Sequence, residues 1–266
     1  MKNVLMCKPT FFQVKYQINP WMKIGSVNQK KAMQQWKNLV SSYQKLGIKV
    51  FVIDQQKDFP DMVFCADQGI IHNKKVLLSN FRFKERRGES KIFEKWFKNF
   101  GLEVFKLPKN IYFEGEGESI RWNKKVFIGT GFRTSQQALK LISKALNIEV
   151  IGLELVDKRF YHLDTCLFAL NEKIVFYFPS AFSKKSIEII KKHVPILIEF
   201  REEDVLNFTA NSVVHGKYVV MQSGNKYFAK LIKDLGYIPI MTDVGEFIKS
   251  GGGIHCLTGN IGIDIA

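Results

Sequence analysis

Asp67, Glu114, His162, Asn211 and Cys256 recur along this chain at an almost constant pitch, with gaps of 47, 48, 49 and 45 residues. Each stands just ahead of a β-rich run. The first four runs, Gly69 to Phe81, Ser119 to Thr130, Cys166 to Pro179 and Ser212 to Gln222, are each broken near the middle. The breaks are His72-Asn73-Lys74-Lys75, Asn123-Lys124-Lys125, Asn171-Glu172-Lys173 and Gly216-Lys217, and they read as hairpin turns. A fixed period of this length marks a stacked or closed repeat architecture. In a closed ring, equivalent positions of every repeat face one point, so two acids, a histidine, an amide and a thiol would converge there.

Each hairpin is followed by apolar residues three or four apart, the mark of an amphipathic helix. Ile92, Phe93, Trp96, Phe97 and Phe100 carry the first, and Ala138, Leu139, Ile142 and Leu146 the second. Ile187, Ile189, Ile190 and Val194 carry the third, and Phe228, Leu231, Ile232 and Leu235 the fourth. Gly101 and Gly236 stand where helix C-caps are expected. A short strand closes each unit: Glu103 to Leu107, Glu149 to Val156, Leu197 to Phe200 and Tyr237 to Met241. The two ends of the chain complete a fifth unit. It pairs Ile254 to Ile265 with Val4 to Cys7, then runs through a helix from about Asn28 to Leu46 and a strand from Lys49 to Asp54. The expected fold is a five-bladed, pseudo-symmetric α/β propeller of strand–strand–helix–strand repeats closed by the termini. It would form one domain over residues 1–266. An open α/β sheet is the common alternative for alternating elements. The register of the polar residues favours the ring.

Composition fits one globular domain, with 46% hydrophobic residues and no Pro/Gly/Ser-rich linker. The opening residues, Met1 to Pro9, are too soon interrupted for a signal peptide, and no apolar run reaches membrane-spanning length. Four cysteines, Cys7, Cys65, Cys166 and Cys256, lack CxxC pairing, so neither a disulfide framework nor a zinc site is expected. The chain reads as cytoplasmic. Forty basic against 25 acidic residues give a net charge of +15, which raises the question of nucleic acid. The lysines are scattered, no basic run reaches five, and no RNA-binding aromatic motif is present. A solvated lysine-rich surface is the expectation, with no nucleic-acid or membrane partner and homo-oligomerisation left open.

Three segments carry chemistry. In Ser250-Gly251-Gly252-Gly253-Ile254-His255-Cys256, the glycines let the backbone approach a ligand, and the thiol follows at a strand edge. Free cysteines are usually buried structural residues, but the glycine run sets Cys256 apart from the other three. His255, adjacent on a strand, would point away from it. In Tyr161-His162-Leu163-Asp164, an extended backbone puts His162 and Asp164 on one side. A nucleophilic thiol needs such a proton carrier to protonate a leaving amine and then activate water. The third segment, Phe113-Glu114-Gly115-Glu116-Gly117-Glu118, is matched one repeat earlier by Phe64-Cys65-Ala66-Asp67. A pocket made of Glu114, Asp164 and Asp67 requires a cation. A guanidinium suits it, because its planar fork pairs bidentately with carboxylates. A metal is the competing cation, and the thiol favours attack on an amidine carbon. Glu116 and Glu118 read as loop or surface residues.

These segments resemble the guanidino-group-modifying superfamily of arginine deiminases, dimethylarginine dimethylaminohydrolases and amidinotransferases. Within it the chain is most similar to the bacterial arginine dihydrolase branch. The match runs in order through Ile18-Asn19-Pro20-Trp21-Met22, Pro60-Asp61-Met62-Val63-Phe64, Lys84-Glu85-Arg86-Arg87-Gly88-Glu89 and Phe113-Glu114-Gly115. It continues through Gly131-Phe132-Arg133-Thr134-Ser135, Phe160 to Cys166, Asn207-Phe208 with Asn211, and Gly252-Gly253 with Cys256-Leu257-Thr258. The resemblance implies a five-bladed propeller with Cys256 as nucleophile and His162 as general acid/base. It implies that Glu114 and Asp164 hold the guanidinium, and that Arg86 and Arg133 pair with an α-carboxylate. Asn19 lines the amino-acid end of the pocket, and Asp67, Asn211 and Gly253 complete the substrate-binding set. No cofactor and no metal is implied. The dihydrolase branch carries Asn where this chain has Asp67, and usually Asp where it has Glu118. The Gly-Gly-Gly-Ile-His-Cys stretch is more similar to arginine and agmatine deiminases.

The expected activity is therefore hydrolysis of free L-arginine, or a close derivative, to citrulline and ammonia through a covalent thiouronium. Arginine dihydrolase, dimethylarginine dimethylaminohydrolase and amidinotransferase activities are the alternatives. An inactive amino-acid-binding propeller is the non-enzymatic one.

Overall fold

The hairpins form where the sequence places them, and their turns show why. In the computed structural model, which describes residues 2–262, His72 faces Lys75 across a two-residue turn. Asn73 and Lys74 both hold positive φ, at 48° and 61°. A type I′ turn needs that at both positions, and asparagine tolerates it better than most residues. Asn123, at φ 53°, serves the next hairpin, in which Trp122 faces Lys125. The longer third turn uses a side chain instead: Asn171 Oδ1 accepts the N–H groups of Lys173 and Ile174 at 2.9 and 3.0 Å.

The chain divides into two compact units, residues 1–65 with 202–266, and residues 66–201. In the second unit three sheets share one plan. Gly69–His72 and Lys75–Leu78 pair antiparallel, the helix Glu89–Asn99 crosses over, and Glu103–Phe105 adds parallel to Lys75–Leu78. Ser119–Trp122, Lys125–Thr130, the helix Ala138–Leu146 and Glu149–Glu154 repeat it. So do Leu167–Ala169, Ile174–Tyr177, the helix Lys184–His193 and Ile196–Glu199. Ile70, Leu77, Phe113, Val126, Ile128, Ile142 and Leu146 pack as one core cluster.

The first unit holds two sheets of the same plan. Val213–His215 and Tyr218–Gln222 form a hairpin, and Ile238–Thr242 joins parallel after the helix Lys226–Asp234. Asn3–Lys8 is the central strand of the other sheet. It lies parallel to Lys49–Asp54 and antiparallel to Gly259–Asn260. The expected pairing of Ile254 to Ile265 with the N-terminal strand is thus realised over Gly259 and Asn260, and its last residues lie outside the described ones. The helix Gln29–Lys45 begins at Asn28, whose Oδ1 accepts the Lys31 N–H at 3.0 Å. It buries Ala32, Trp36, Leu39 and Tyr43 against Val4, Met6, Phe12 and Phe247. Truncating Leu39, which is fully buried, would cost about 2–5 kcal/mol. Among the described residues no helix is long and apolar enough to cross a membrane.

The structure is thus an α/β fold containing, among the described residues, five small three-stranded mixed sheets. The near-constant pitch of the polar residues joins more than one kind of position. Asp67 and Asn211 stand two residues before their strands, Cys256 three, and Glu114 and His162 five. The difference lies in the single helical turn before the strand: Gly115–Glu118 and Leu163–Thr165 follow Glu114 and His162, whereas Asp67 stands inside the corresponding turn, Cys65–Gln68.

Gly115 fixes one of these turns. Its φ is +60°, and a Cβ there would lie 2.6 Å from the Ala66 carbonyl oxygen and 2.7 Å from the Gly69 nitrogen. The turn therefore presses backbone to backbone on the one that carries Asp67. Gly115→Ala is expected to cost about 2–4 kcal/mol, from left-handed strain plus overpacking. Urea unfolding would measure it, and an undiminished midpoint would refute the close contact.

Candidate active site

Two groups of side chains, one in each unit, contain all the residues singled out from the sequence. In the first unit Asn211 clasps Cys256. Its Oδ1 accepts the Cys256 N–H at 3.1 Å, its Nδ2 donates to Cys256 Sγ at 3.1 Å, and its carbonyl accepts the His255 N–H at 3.0 Å. A Cβ at Gly253 would stand 2.8 Å from Asn211 Oδ1, so the glycine admits the amide. An amide N–H directed at sulfur favours the thiolate over the thiol. Residues 254–257 form a turn, not a strand edge, so strand alternation does not govern where His255 points. Asn19 Oδ1 caps its own turn by accepting the Trp21 and Met22 N–H groups at 2.9 and 3.2 Å. Its Nδ2 donates to the Ser250 carbonyl at 3.1 Å, just ahead of the glycine run.

In the second unit His162 is buried at 1% exposure, and its Nε2 lies 2.8 Å from Glu114 Oε2. The same oxygen receives Arg133 Nη1 at 2.8 Å, while Glu114 Oε1 accepts the Arg82 N–H at 3.2 Å. Arg133 lies between the rings of Phe83 and Tyr161, each 4.6 Å from its guanidinium carbon. That stacking leaves only its in-plane donors for hydrogen bonding. Arg86 spans two acids: Nη1 reaches Asp67 Oδ2 at 2.6 Å, and Nη2 reaches Glu89 Oε2 at 2.9 Å. Gln68 Nε2 donates to Glu89 Oε2 at 2.6 Å. Both arginines that the resemblance assigns to a substrate carboxylate therefore already carry protein carboxylates. Glu114, assigned there to the guanidinium, holds the imidazole and Arg133. Asp164 is buried and close enough for its charge to act on Asp67, but it lies in a turn rather than an extended segment.

Electrostatics follow from this packing. Burial alone would raise the Glu114 carboxyl, but Arg133 and His162 outweigh it and hold Glu114 at about 2. Burial pulls His162 down, while Asp67, Glu114 and Glu118 together raise it above the usual histidine value, so the imidazolium is favoured. Burial raises Asp67 despite His162 and Arg86. His162 Nδ1 and Asp67 Oδ1 lie 3.8 Å apart, and neither has a hydrogen-bond partner among the described residues.

Three buried acids of the second unit escaped the sequence reading. Glu118 is fully buried, not a surface residue, and burial lifts its carboxyl to about 8. Glu116 is buried at 6% exposure, with Arg121 Nη2 3.6 Å away. Glu89, at the end of the Lys84-to-Glu89 segment, is the fully buried anchor of Arg86. The Arg86–Glu89 spacing, three residues at a helix start, was the available signal. Among the described residues no group of three or more His, Cys, Asp or Glu is arranged to hold a metal ion.

The sequence profile of the family described as N,N dimethylarginine dimethylhydrolase, eukaryotic, matches residues 12–263. The chain belongs to this family. The dimethylarginine dimethylhydrolase family relatives include the bifunctional arginine dihydrolase/ornithine cyclodeaminase ArgZ of Synechocystis, 36% identical over 263 residues. That alignment covers 96% of this chain and 37% of ArgZ. The N(G),N(G)-dimethylarginine dimethylaminohydrolase of Mycobacterium tuberculosis is also 36% identical, over 95% of this chain and 83% of that protein. The crystal structure of the N-terminal domain of an ArgZ variant, covalently bound to a reaction intermediate, superimposes with a TM-score of 0.94 at 36% identity. It covers 97% of this chain and 96% of that domain. The chain thus spans little more than a third of the length of the cyanobacterial ArgZ protein it matches.

Proposed function

We propose that this protein is a cysteine-dependent hydrolase of the guanidinium group of free L-arginine or a close derivative, releasing citrulline and ammonia. The observation that carries this reading is the pairing of two catalytic groups with their partners: His162 Nε2 lies 2.8 Å from Glu114 Oε2, and the Asn211 amide donates to Cys256 Sγ at 3.1 Å. A buried, carboxylate-held imidazole is the proton carrier that a nucleophilic thiol needs. The buried carboxyls of Asp67, Glu114 and Asp164 suit a cationic guanidinium as the group attacked. The covalent intermediate named for the ArgZ domain supports a step through an enzyme-bound adduct.

Cys256 thiolate, favoured by the Asn211 amide, attacks the guanidinium carbon and forms a C–S bond. The tetrahedral adduct collapses as His162 gives its proton to the departing nitrogen, which leaves as ammonia. Neutral His162 then takes a proton from water, the resulting hydroxide adds to the thiouronium carbon, and the C–S bond breaks as the added hydroxyl gives its proton to solvent. Citrulline leaves and the thiolate is restored. Glu114 orients the imidazole throughout and stabilises its charged form. We further propose that the five sheets close into a five-bladed propeller and that residues 1–266 act as one catalytic domain. Their shared strand order supports this. The relatives' names favour a second reading, in which the substrate is an N-methylated arginine.

Mass-spectrometric product analysis on arginine, its methylated forms, agmatine and citrulline tests the assignment. Absence of turnover on all of them would refute it. Asp67 is expected to decide how far reaction goes. Held against Arg86 and a bound cation, its carboxylate accepts from a guanidinium but repels the ureido oxygen of citrulline, to which an asparagine would donate. An asparagine could still accept from Arg86 through its carbonyl oxygen, so the Arg86–Glu89 pair stays seated. Asp67→Asn is expected to raise the ornithine-to-citrulline product ratio by about tenfold, the effect of one hydrogen bond of roughly 1.5 kcal/mol. Stoichiometric ornithine from the wild-type enzyme would show that this carboxylate does not stop the reaction at citrulline.

A further inference from the structure

Among the buried carboxyls that the mechanism does not use, Glu118 stands against the residue that follows the general acid/base. Glu118 is fully buried, its Oε2 accepts the Leu163 N–H at 3.3 Å, and its Oε1 has no hydrogen-bond partner among the described residues. A Cβ at Gly129 would stand 2.4 Å from Glu118 Oε2 and 3.0 Å from Leu163 Cβ. The carboxyl is thus wedged between the strand Lys125–Thr130 and the residue that follows His162. Leu163 opens the turn Leu163–Thr165, and the Thr165 hydroxyl closes that turn onto the His162 carbonyl at 2.6 Å. The backbone settings of both His162 and Asp164 depend on this turn.

We propose that Glu118 is a positioning residue for the general acid/base: its carboxyl seats the Leu163 amide and so fixes the turn that presents His162. The proposal rests on the role assigned above to His162, and it also has a direct electrostatic consequence. Burial lifts Glu118 to about 8, with Glu114 adding to the rise and His162 and Arg133 opposing it. The other charges that act on the imidazole are Asp67 and Glu114, while Asp164 and the thiol of Cys166 lie on the turn that Glu118 holds. Below about 8 the carboxyl is a neutral acid. Above it, a further negative charge develops near the imidazole and strengthens its hold on the proton.

The test follows the imidazole of His162 by NMR as pH is raised, in the wild-type enzyme and in Glu118→Gln. The glutamine keeps an acceptor for Leu163 but cannot ionise. In the variant His162 is expected to lose its proton about one pH unit lower. Glu118→Leu, which removes the acceptor, is expected to reduce kcat on arginine by on the order of 10²-fold, the effect of an ångström-scale misplacement. KM should change little, since the loss lies in the chemical step. Identical His162 titration in wild type and Glu118→Gln, or wild-type kcat in Glu118→Leu, would overturn the proposal. Should the leucine variant not fold, the titration of the glutamine variant decides alone. The titration needs no turnover, so it tests Glu118 even if no guanidino compound is hydrolysed, which would refute only the assigned reaction.

Discussion

Replacing Cys256 with serine is expected to lower turnover of arginine by on the order of 10⁴-fold or more, the scale seen when a nucleophile is removed. The fold should survive. Serine Oγ can accept the Asn211 N–H now directed at sulfur, and the Cys256 backbone N–H keeps its bond to Asn211 Oδ1. What is lost is ionisation: a free thiol titrates near 8.5, whereas a hydroxyl stays protonated throughout the working range. Iodoacetamide should label Cys256 ahead of Cys7, Cys65 and Cys166, with arginine protecting it. All four thiols are buried, so chemistry rather than exposure decides the order. Burial, with Asp164 and Glu118 nearby, pushes the Cys166 thiol well above its usual value. If another cysteine reacts first and the serine variant turns over, Cys256 is not the nucleophile.

The repeat was legible because its determinants are local. Asparagines at hairpin turns, apolar residues three and four apart, and glycine at φ +88° and +84° after two helices all act within a few residues. The expected C-caps at Gly101 and Gly236 are these two positions. The expected helix from about Asn28 to Leu46 is found as Gln29–Lys45, and the strand Glu149 to Val156 as Glu149–Glu154. What the pitch did not reveal was that Glu114 and His162 precede a single turn whose counterpart, Cys65–Gln68, holds Asp67 inside it. Such a turn is set by backbone packing, as at Gly115, and leaves no periodic signal.

The site was readable in its members more than in their pairings. Glu114, His162, Arg133, Arg86 and Asp67 do lie in one buried cluster of the second unit, but each arginine holds a carboxylate of the protein. A charged side chain buried at 2–3% exposure must be neutralised where it stands, and no sequence pattern shows which of several acids does so. Glu118 was misread for a related reason. In Gly115-Glu116-Gly117-Glu118 the alternation of acids and glycines suggests a solvated loop, whereas the glycines instead let the turn sink against neighbouring backbone.

Glu114→Ala is expected to destabilise the protein by about 3–5 kcal/mol, the cost of leaving a buried ion pair without one member. Arg133 would remain between Phe83 and Tyr161 with the Glu114 carboxylate gone, and His162 Nε2 would lose the oxygen 2.8 Å away. Glutamine is gentler, because it keeps an acceptor, and it isolates the charge. In the folded chain Glu114 titrates at about 2 instead of 4.5, since Arg133 and His162 overcome the effect of burial. The unfolded chain therefore binds the extra proton first as pH falls. The stability due to the charge is fully present above about 4.5 and is lost as pH falls towards about 2. Urea unfolding of wild type and Glu114→Gln between pH 2 and pH 7 should give curves that diverge above that window and converge at its acid end. A constant offset across the range would show that the Glu114 charge does not stabilise the cluster. Turnover should fall in both variants by about 10²–10⁴-fold, because an imidazole without its carboxylate is neither oriented nor held in its charged form.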